Sequence, residues 1–278
     1  MVDDMQKATV FVLAKCKADN LRPWNNEEKF ISKRSMGSLI KINDRIYVLT
    51  CYHGVRNNVN VVMHRLISSG KIQKMGINLV AMAPELDIAL FKTELDDDDF
   101  ITFEDFNYKF PEEGTRLNIF LNELKQTSET NAVLNSHSFT CNCKDIFFEK
   151  QNAFNMPVMP IINIDISSPT DSHKLSGVSG SLVIDPKIDA KICGMVSYSD
   201  SGLSDISLVP SATILRFLTE FKNSNTYFGL CGLFSEIEVD ENKKFVVKQS
   251  IQHKNKKNLE YIPKKSKNSP GDYYLNRT

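Results

Sequence analysis

The sequence predicts a mostly β protein, assembled as two β-barrels or as a sandwich, and three observations carry that reading. Short β-branched runs broken by turn residues dominate the chain up to Val209. They fall into two groups with a loop-rich joint between them. Only one convincing helical pattern stands out, over 212–222.

The first group of strands is 9–14, 38–42, 45–50, 59–64, 77–82 and 87–92. Asn43-Asp44 between two of these runs reads as a tight hairpin, because both residues tolerate the positive φ of a two-residue loop. The joint is the acidic segment 94–105, with four consecutive aspartates at 96–99. Consecutive carboxylates cannot all converge on one cation, so a solvated loop is the expectation there. The second group follows Pro111-Glu112-Glu113-Gly114 and comprises 116–121, 161–166, 181–184, 192–198 and 206–209. In the helix, Ser211 supplies a cap and Ile214, Leu215, Phe217, Leu218 and Phe221 an apolar face. After Phe228 the composition changes: 243–267 holds nine lysines and one acid, Glu260, without sustained periodicity. A solvated extension is expected there rather than a nucleic-acid site.

Composition narrows the function classes. Of 278 residues, 41% are hydrophobic and 24% charged, as in ordinary globular chains. Lys plus Arg 34 against Asp plus Glu 34 leaves no net field to draw in nucleic acid or an anionic membrane. No apolar run approaches the roughly 20 residues that span a bilayer. The opening Met1-Val2-Asp3-Asp4 is acidic where a signal peptide is basic, so an intracellular, cytoplasmic location is expected. The six cysteines (Cys16, Cys51, Cys141, Cys143, Cys193 and Cys231) are then expected as reduced, buried thiols. Cys141-Asn142-Cys143 is poorly spaced for zinc and lacks a partner pair; neither metal nor cofactor is assigned. Lys- and Asn-rich usage suggests an A/T-rich genome, such as that of a large DNA virus or a protist.

Three segments carry chemistry, in the order His, Asp, Ser. Val48-Leu49-Thr50-Cys51-Tyr52-His53-Gly54-Val55 runs a strand into a histidine. Glu85-Leu86-Asp87-Ile88-Ala89-Leu90-Phe91 opens an apolar strand with an aspartate. Ser176-Gly177-Val178-Ser179-Gly180-Ser181-Leu182 places a serine between glycines ahead of a buried strand. A serine hydroxyl needs a base that accepts its proton near neutral pH, and imidazole fits. The imidazole needs a carboxylate to fix its tautomer, the part given to Asp87. Charge developing on a carbonyl needs N–H donors, which Gly177 and Ser179 present if the chain turns sharply. Each segment alone has a blander reading: a packing histidine, a turn aspartate, a routine glycine turn. Together, in this order and these contexts, they form a constellation.

These segments resemble the chymotrypsin-fold (trypsin-like) serine proteases, and within them the HtrA/Do-like branch. That family carries a Gly-Ser-Gly-Phe-Ile-type hairpin, Leu-Thr-x-x-His-Val, Asp-Ile-Ala-Leu and Gly-x-Ser-Gly-Gly-Pro-Leu. Here they stand as Gly37-Ser38-Leu39-Ile40, Leu49-Thr50-Cys51-Tyr52-His53-Gly54-Val55, Asp87-Ile88-Ala89-Leu90 and Gly177-Val178-Ser179-Gly180. Gly194-Met195-Val196-Ser197 and Val209-Pro210-Ser211 match its later strand and helix approach, and the likeness covers roughly residues 8–222. It implies two antiparallel six-stranded β-barrels, about 8–105 and 112–210, then a helix at 211–222 and a short C-terminal extension. It further implies a protease domain over 1–225, hydrolysing protein or peptide substrates with His53 as base, Asp87 as orienter and Ser179 as nucleophile. Gly177 and Ser179 would supply the oxyanion hole. The specificity pocket would be walled by Ser197, Tyr198 and Ser199 and floored near His173, although an exposed loop histidine is the blander reading of His173. Tyr227-Phe228-Gly229-Leu230 resembles the start of the family's peptide-binding PDZ domain, making 226–278 a degenerate or truncated remnant. Two departures stand out: Ser181 where the family has glycine, and Gly54 after the histidine. They keep open an alternative, a catalytically silent protease-like protein that binds peptides or serves as a structural component.

Overall fold

The computed structural model describes residues 2–17, 30–56, 58–67, 71–96, 99–126, 132–149, 159–166, 177–188, 190–199, 205–224, 227–228, 237–239 and 245–247. Its first half forms β1 (Thr9–Lys17), β2 (Phe30–Ile42), β3 (Arg45–Cys51), β4 (Asn58–Leu66), β5 (Ile72–Gly76), β6 (Asn78–Ala83) and β7 (Ile88–Lys92). The second forms β8 (Arg116–Gln126), β9 (Ala132–Glu149), β10 (Met159–Ile166), β11 (Leu182–Asp185), β12 (Lys191–Ser199) and β13 (Asp205–Pro210). Short strands follow at β14 (Tyr227–Phe228), β15 (Ile237–Val239) and β16 (Phe245–Val247). Three α-helical segments complete the list, α1 (Val2–Ala8), the single turn α2 (Tyr52–Val55) and α3 (Ser211–Ser224).

The second group meets the expectation of a six-stranded antiparallel barrel: its ladder runs β10-β13-β12-β11-β8-β9 and returns on itself. The first group differs. It is an open sheet of eight strands, β14-β6-β7-β3-β2-β1-β4-β5, rather than a closed ring of six. The outer edge of β6 is taken by β14 in a parallel pairing of Tyr227 with Ala81 and Phe228 with Met82. Tyr227 and Phe228 thus extend the first sheet. Farther along, β15 and β16 pair antiparallel, so part of the lysine-rich extension is regular where none was expected.

Central strands explain the continuous apolar runs. In β3 every residue after Arg45 is buried, and in β7 every residue before Lys92. The Asn43-Asp44 hairpin forms as expected, with φ of 48° and 61° and Ile42 paired to Arg45. Strand β1 alternates between two cores. Val10, Val12 and Ala14 enter the first, while Phe11, with Met36 of β2, enters the second. The two sheets therefore share a wall, and the candidate site lies along it.

Helix α3 buries Ile214, Leu215, Phe217, Leu218 and Phe221, the face read from the sequence. Phe221 meets Tyr47 of β3 edge-on at 5.3 Å, so the helix that follows the second barrel seals the first sheet. Ser211 departs from its expected use. It is itself the first helical residue, and its hydroxyl donates to the Asn107 carbonyl. Among the described residues, Cys16, Cys51, Cys141, Cys143 and Cys193 are buried thiols outside any disulfide; Cys231, Asp97 and Asp98 lie outside those residues. No described helix is long and apolar enough to cross a membrane.

Phe217 is 1% exposed within the first core. Phe217→Ala is expected to cost about 3–5 kcal/mol, read as a lowered urea midpoint with an unchanged slope.

Candidate active site

Strand β3 delivers Cys51 in extended conformation (φ −75°, ψ 141°), and the chain then turns once through α2, which carries His53. Asp87 holds that turn at several points. Its carbonyl accepts the Tyr52 N–H at 3.0 Å, its Oδ1 accepts the His53 backbone N–H at 2.7 Å, and its Oδ2 lies 2.7 Å from His53 Nδ1. A carboxylate can only accept here, so Nδ1 carries a proton, and Nε2 presents a lone pair once the ring is neutral. Asp87 closes the 3-10 turn Pro84–Leu86 in the left-handed region, φ 55° and ψ 39°, a conformation that aspartate tolerates better than most side chains.

A third donor reaches the same carboxylate: Ser197 Oγ, at 2.7 Å from Oδ2. The pairing of β12 with β13 explains its aim. Val196 pairs with Leu208 and Tyr198 with Ser207, which leaves Ser197 as an extra residue in a β-bulge. Ser197, expected to wall a pocket, gives its hydroxyl to Asp87. Its residue type offered no hint of this, because the bulge exists only in the pairing. Tyr198 and Ser199 continue β12; His173 lies outside the described residues.

The serine is displayed on a tight turn. Ser181 N–H donates to Val178 O at 2.9 Å, closing a four-residue turn with Gly180 at φ 90° in the position where type II geometry demands glycine. Val178 anchors it in the second core at 1% exposure. Strands on either side grip it: Met36 N–H donates to Ser179 O and Gly180 N–H to Val196 O, each at 2.7 Å. Gly180 and Ser181 have thus spent their N–H groups, whereas those of Gly177 and Ser179 find no acceptor among the described residues. Gly177 also has positive φ, 88°.

These contacts bring the three segments around one point. Val196 touches the serine turn while its neighbour Ser197 touches Asp87, and Gly180 lies against Met36 and Thr50, close to His53 in sequence. Among the described residues no hydrogen bond joins Ser179 Oγ to His53; Nε2 has Cys51 Sγ at 3.9 Å instead. Burial opposes charge on the His53 ring, but the Asp87 hydrogen bond, with a smaller contribution from Cys51, outweighs it and raises the pKa from 6.5 to about 10. A recess lined by Gln6, Lys7, Thr9, Leu66, Asn122 and Ser136 lies elsewhere and shares no residue with this site.

Of the two departures from the family pattern, Gly54 has a local cause and Ser181 has none in the structure. A Cβ on Gly54 would lie 2.9 Å from Ser35 Cβ and 3.0 Å from Cys51 Sγ, so those side chains fill the space a larger residue would use. Ser181 is fully buried, and among the described residues its hydroxyl has no hydrogen-bond partner.

The fold is that of the HtrA-type, trypsin-like serine proteases. The MamO protease domain from Magnetospirillum magneticum superposes with a TM-score of 0.52 at 14% identity, over 78% of this chain and 98% of its own. A variant of the HtrA-type protease AlgW with a decapeptide gives 0.59 at 13% identity, over 86% and 70%. The serine endoprotease from Yersinia pestis gives 0.50 at 13%, over 81% and 68%. No protein-family model matches the chain, and no curated protein matches its sequence.

The serine turn generates a contrasting pair of expectations. A Cβ on Gly180 would stand 2.0 Å from Met36 O, so Gly180→Ala should destabilise by about 3 kcal/mol or abolish folding. Ser181→Ala removes an unpartnered buried hydroxyl and should stabilise by about 1 kcal/mol. Thermal melts of the two variants check both signs.

Proposed function

We propose that this chain is a serine endopeptidase, with Ser179 as nucleophile, His53 as base, Asp87 as its orienter and residues 1–225 as the protease domain. The single observation that carries the reading is the Asp87 carboxylate gripping both the backbone and the ring of His53 while Ser197 occupies its remaining face. That arrangement fixes the tautomer a base requires and aligns the imidazolium that forms. The glycine turn supplies the complementary parts, a partly exposed serine and two N–H groups that are uncommitted among the described residues.

In this reading Ser179 Oγ attacks the peptide carbonyl carbon as its proton passes to His53 Nε2. The oxyanion is held by the Gly177 and Ser179 amides. The C–N bond breaks as His53 returns the proton to the leaving amine, leaving an acyl ester on Ser179. Water then attacks that ester, giving a proton to His53. The ester C–O bond breaks, and the proton restores the Ser179 hydroxyl. Peptides are the fitting substrate class, and the similar fold of AlgW is known with a decapeptide.

One observation favours a second reading, a silent peptide-binding relative: His53 Nε2 faces Cys51 in the resting structure. A fluorophosphonate probe separates the two. Wild type is expected to label at Ser179 and Ser179→Ala not to label, whereas folded wild-type protein that stays unlabelled sinks the hydrolytic reading.

The raised pKa of His53 sets a pH dependence. The ring must shed its extra proton to act as base, so hydrolysis should rise with pH towards about 10. Stability runs the other way: the bound proton stabilises the fold fully below about pH 6.5, and this is lost as pH climbs through about 10. Rate profiles test the first limb, and melts of wild type against His53→Gln isolate the second.

A further inference from the structure

The start of β2 brackets the candidate site through simple alternation. Lys33 and Ser35 project from one face, Arg34 and Met36 from the other. On the first face Lys33 Nζ donates to the His53 carbonyl at 3.3 Å, and Ser35 packs beside Gly54. On the second, Met36 enters the second core, and Arg34 flanks Gly177, whose added Cβ would lie 3.5 Å from Arg34 Cβ. Two consecutive cations thus span from the loop of the base to the loop of the oxyanion donors. Arg34 is exposed, and among the described residues no carboxylate pairs with its guanidinium.

We infer that Arg34 selects peptides bearing an acidic side chain on the leaving-group side of the scissile bond, with Lys33 adding to the same local field. The inference rests on the hydrolytic reading for its orientation. The serine turn is held by β2 through Met36 and by β12 through Val196, so a peptide crossing Ser179 lays one half over each strand. The leaving amine has to meet His53, and the β2 end is the one that touches both His53 and Gly177. A guanidinium fork matches a carboxylate in shape and charge. Because the whole chain is neutral, this preference comes from the local pair and not from a global field.

The test uses the Ser179→Ala protein on an array of decapeptides carrying Glu, Gln or Lys at the two residues after the central bond. Glu spots are expected to retain about fivefold more protein than their Gln twins, the scale of one exposed ion pair, with Lys spots lowest. The ratio should shrink at high salt, vanish in Arg34→Gln and largely persist in Arg34→Lys. Equal retention of Glu and Gln twins, no retention of either, or a preference that survives Arg34→Gln overturns the inference. Fluorophosphonate labelling of wild type reports on hydrolysis separately. A protein that labels but shows no Glu preference sinks this inference alone. A Glu preference in a protein that does not label upholds Arg34 as a recognition residue and sinks the hydrolytic reading.

Discussion

The Met36 peptide group joins the two halves of the molecule at the candidate site. Its N–H holds the Ser179 carbonyl, and its own carbonyl accepts the Thr50 hydroxyl at 2.6 Å. Its side chain lies in the second core, where the sulfur accepts the Asn122 backbone N–H at 3.2 Å. A single residue of the first sheet therefore positions the serine turn, the end of β3 and the wall of the barrel together. Gly180 follows from that geometry, because the Met36 carbonyl occupies the volume of any side chain there.

The orienting carboxylate depends on two backbone irregularities instead of a regular element. Asp87 sits in the left-handed region at the end of a 3-10 turn, and Ser197 protrudes from a bulge. The left-handed conformation of Asp87 costs about 1 kcal/mol and persists only where its surroundings over-determine it. Here those surroundings are the β3–β7 pairing, which runs to Cys51 opposite Ile88, and the β12–β13 pairing on the far side. The carboxylate is thus aimed from both halves at once.

Much of this architecture was legible in the sequence, for physical reasons. The buried strands β3 and β7 read as apolar runs, Asn43-Asp44 as a positive-φ loop, and α3 by its 3.6-residue period. Asp87 and His53 were legible because their local contexts are distinctive, and their contact is direct. What escaped was non-local. The β9 stretch from Asn135 to Thr140 is too polar to announce a strand, and it is one because β8 pairs along its length. The pairing on the outer edge of β6 could not be foreseen, since the strand that makes it arrives far later in the chain. The bond from Ser197 to Asp87 was not legible because nothing local signals a pairing shift. The same holds for Gly54, whose missing side chain is explained by Ser35, a neighbour only in space.

The bulge at Ser197 also makes strand length part of the chemistry. Shortening the chain by one residue there would let β12 and β13 run in perfect step, a seemingly milder ladder. The hydroxyl would then be lost from behind Asp87 although every other reacting group kept its identity. This site is consequently as sensitive to an indel as to a substitution, and two sequences sharing all its functional residues need not share its geometry.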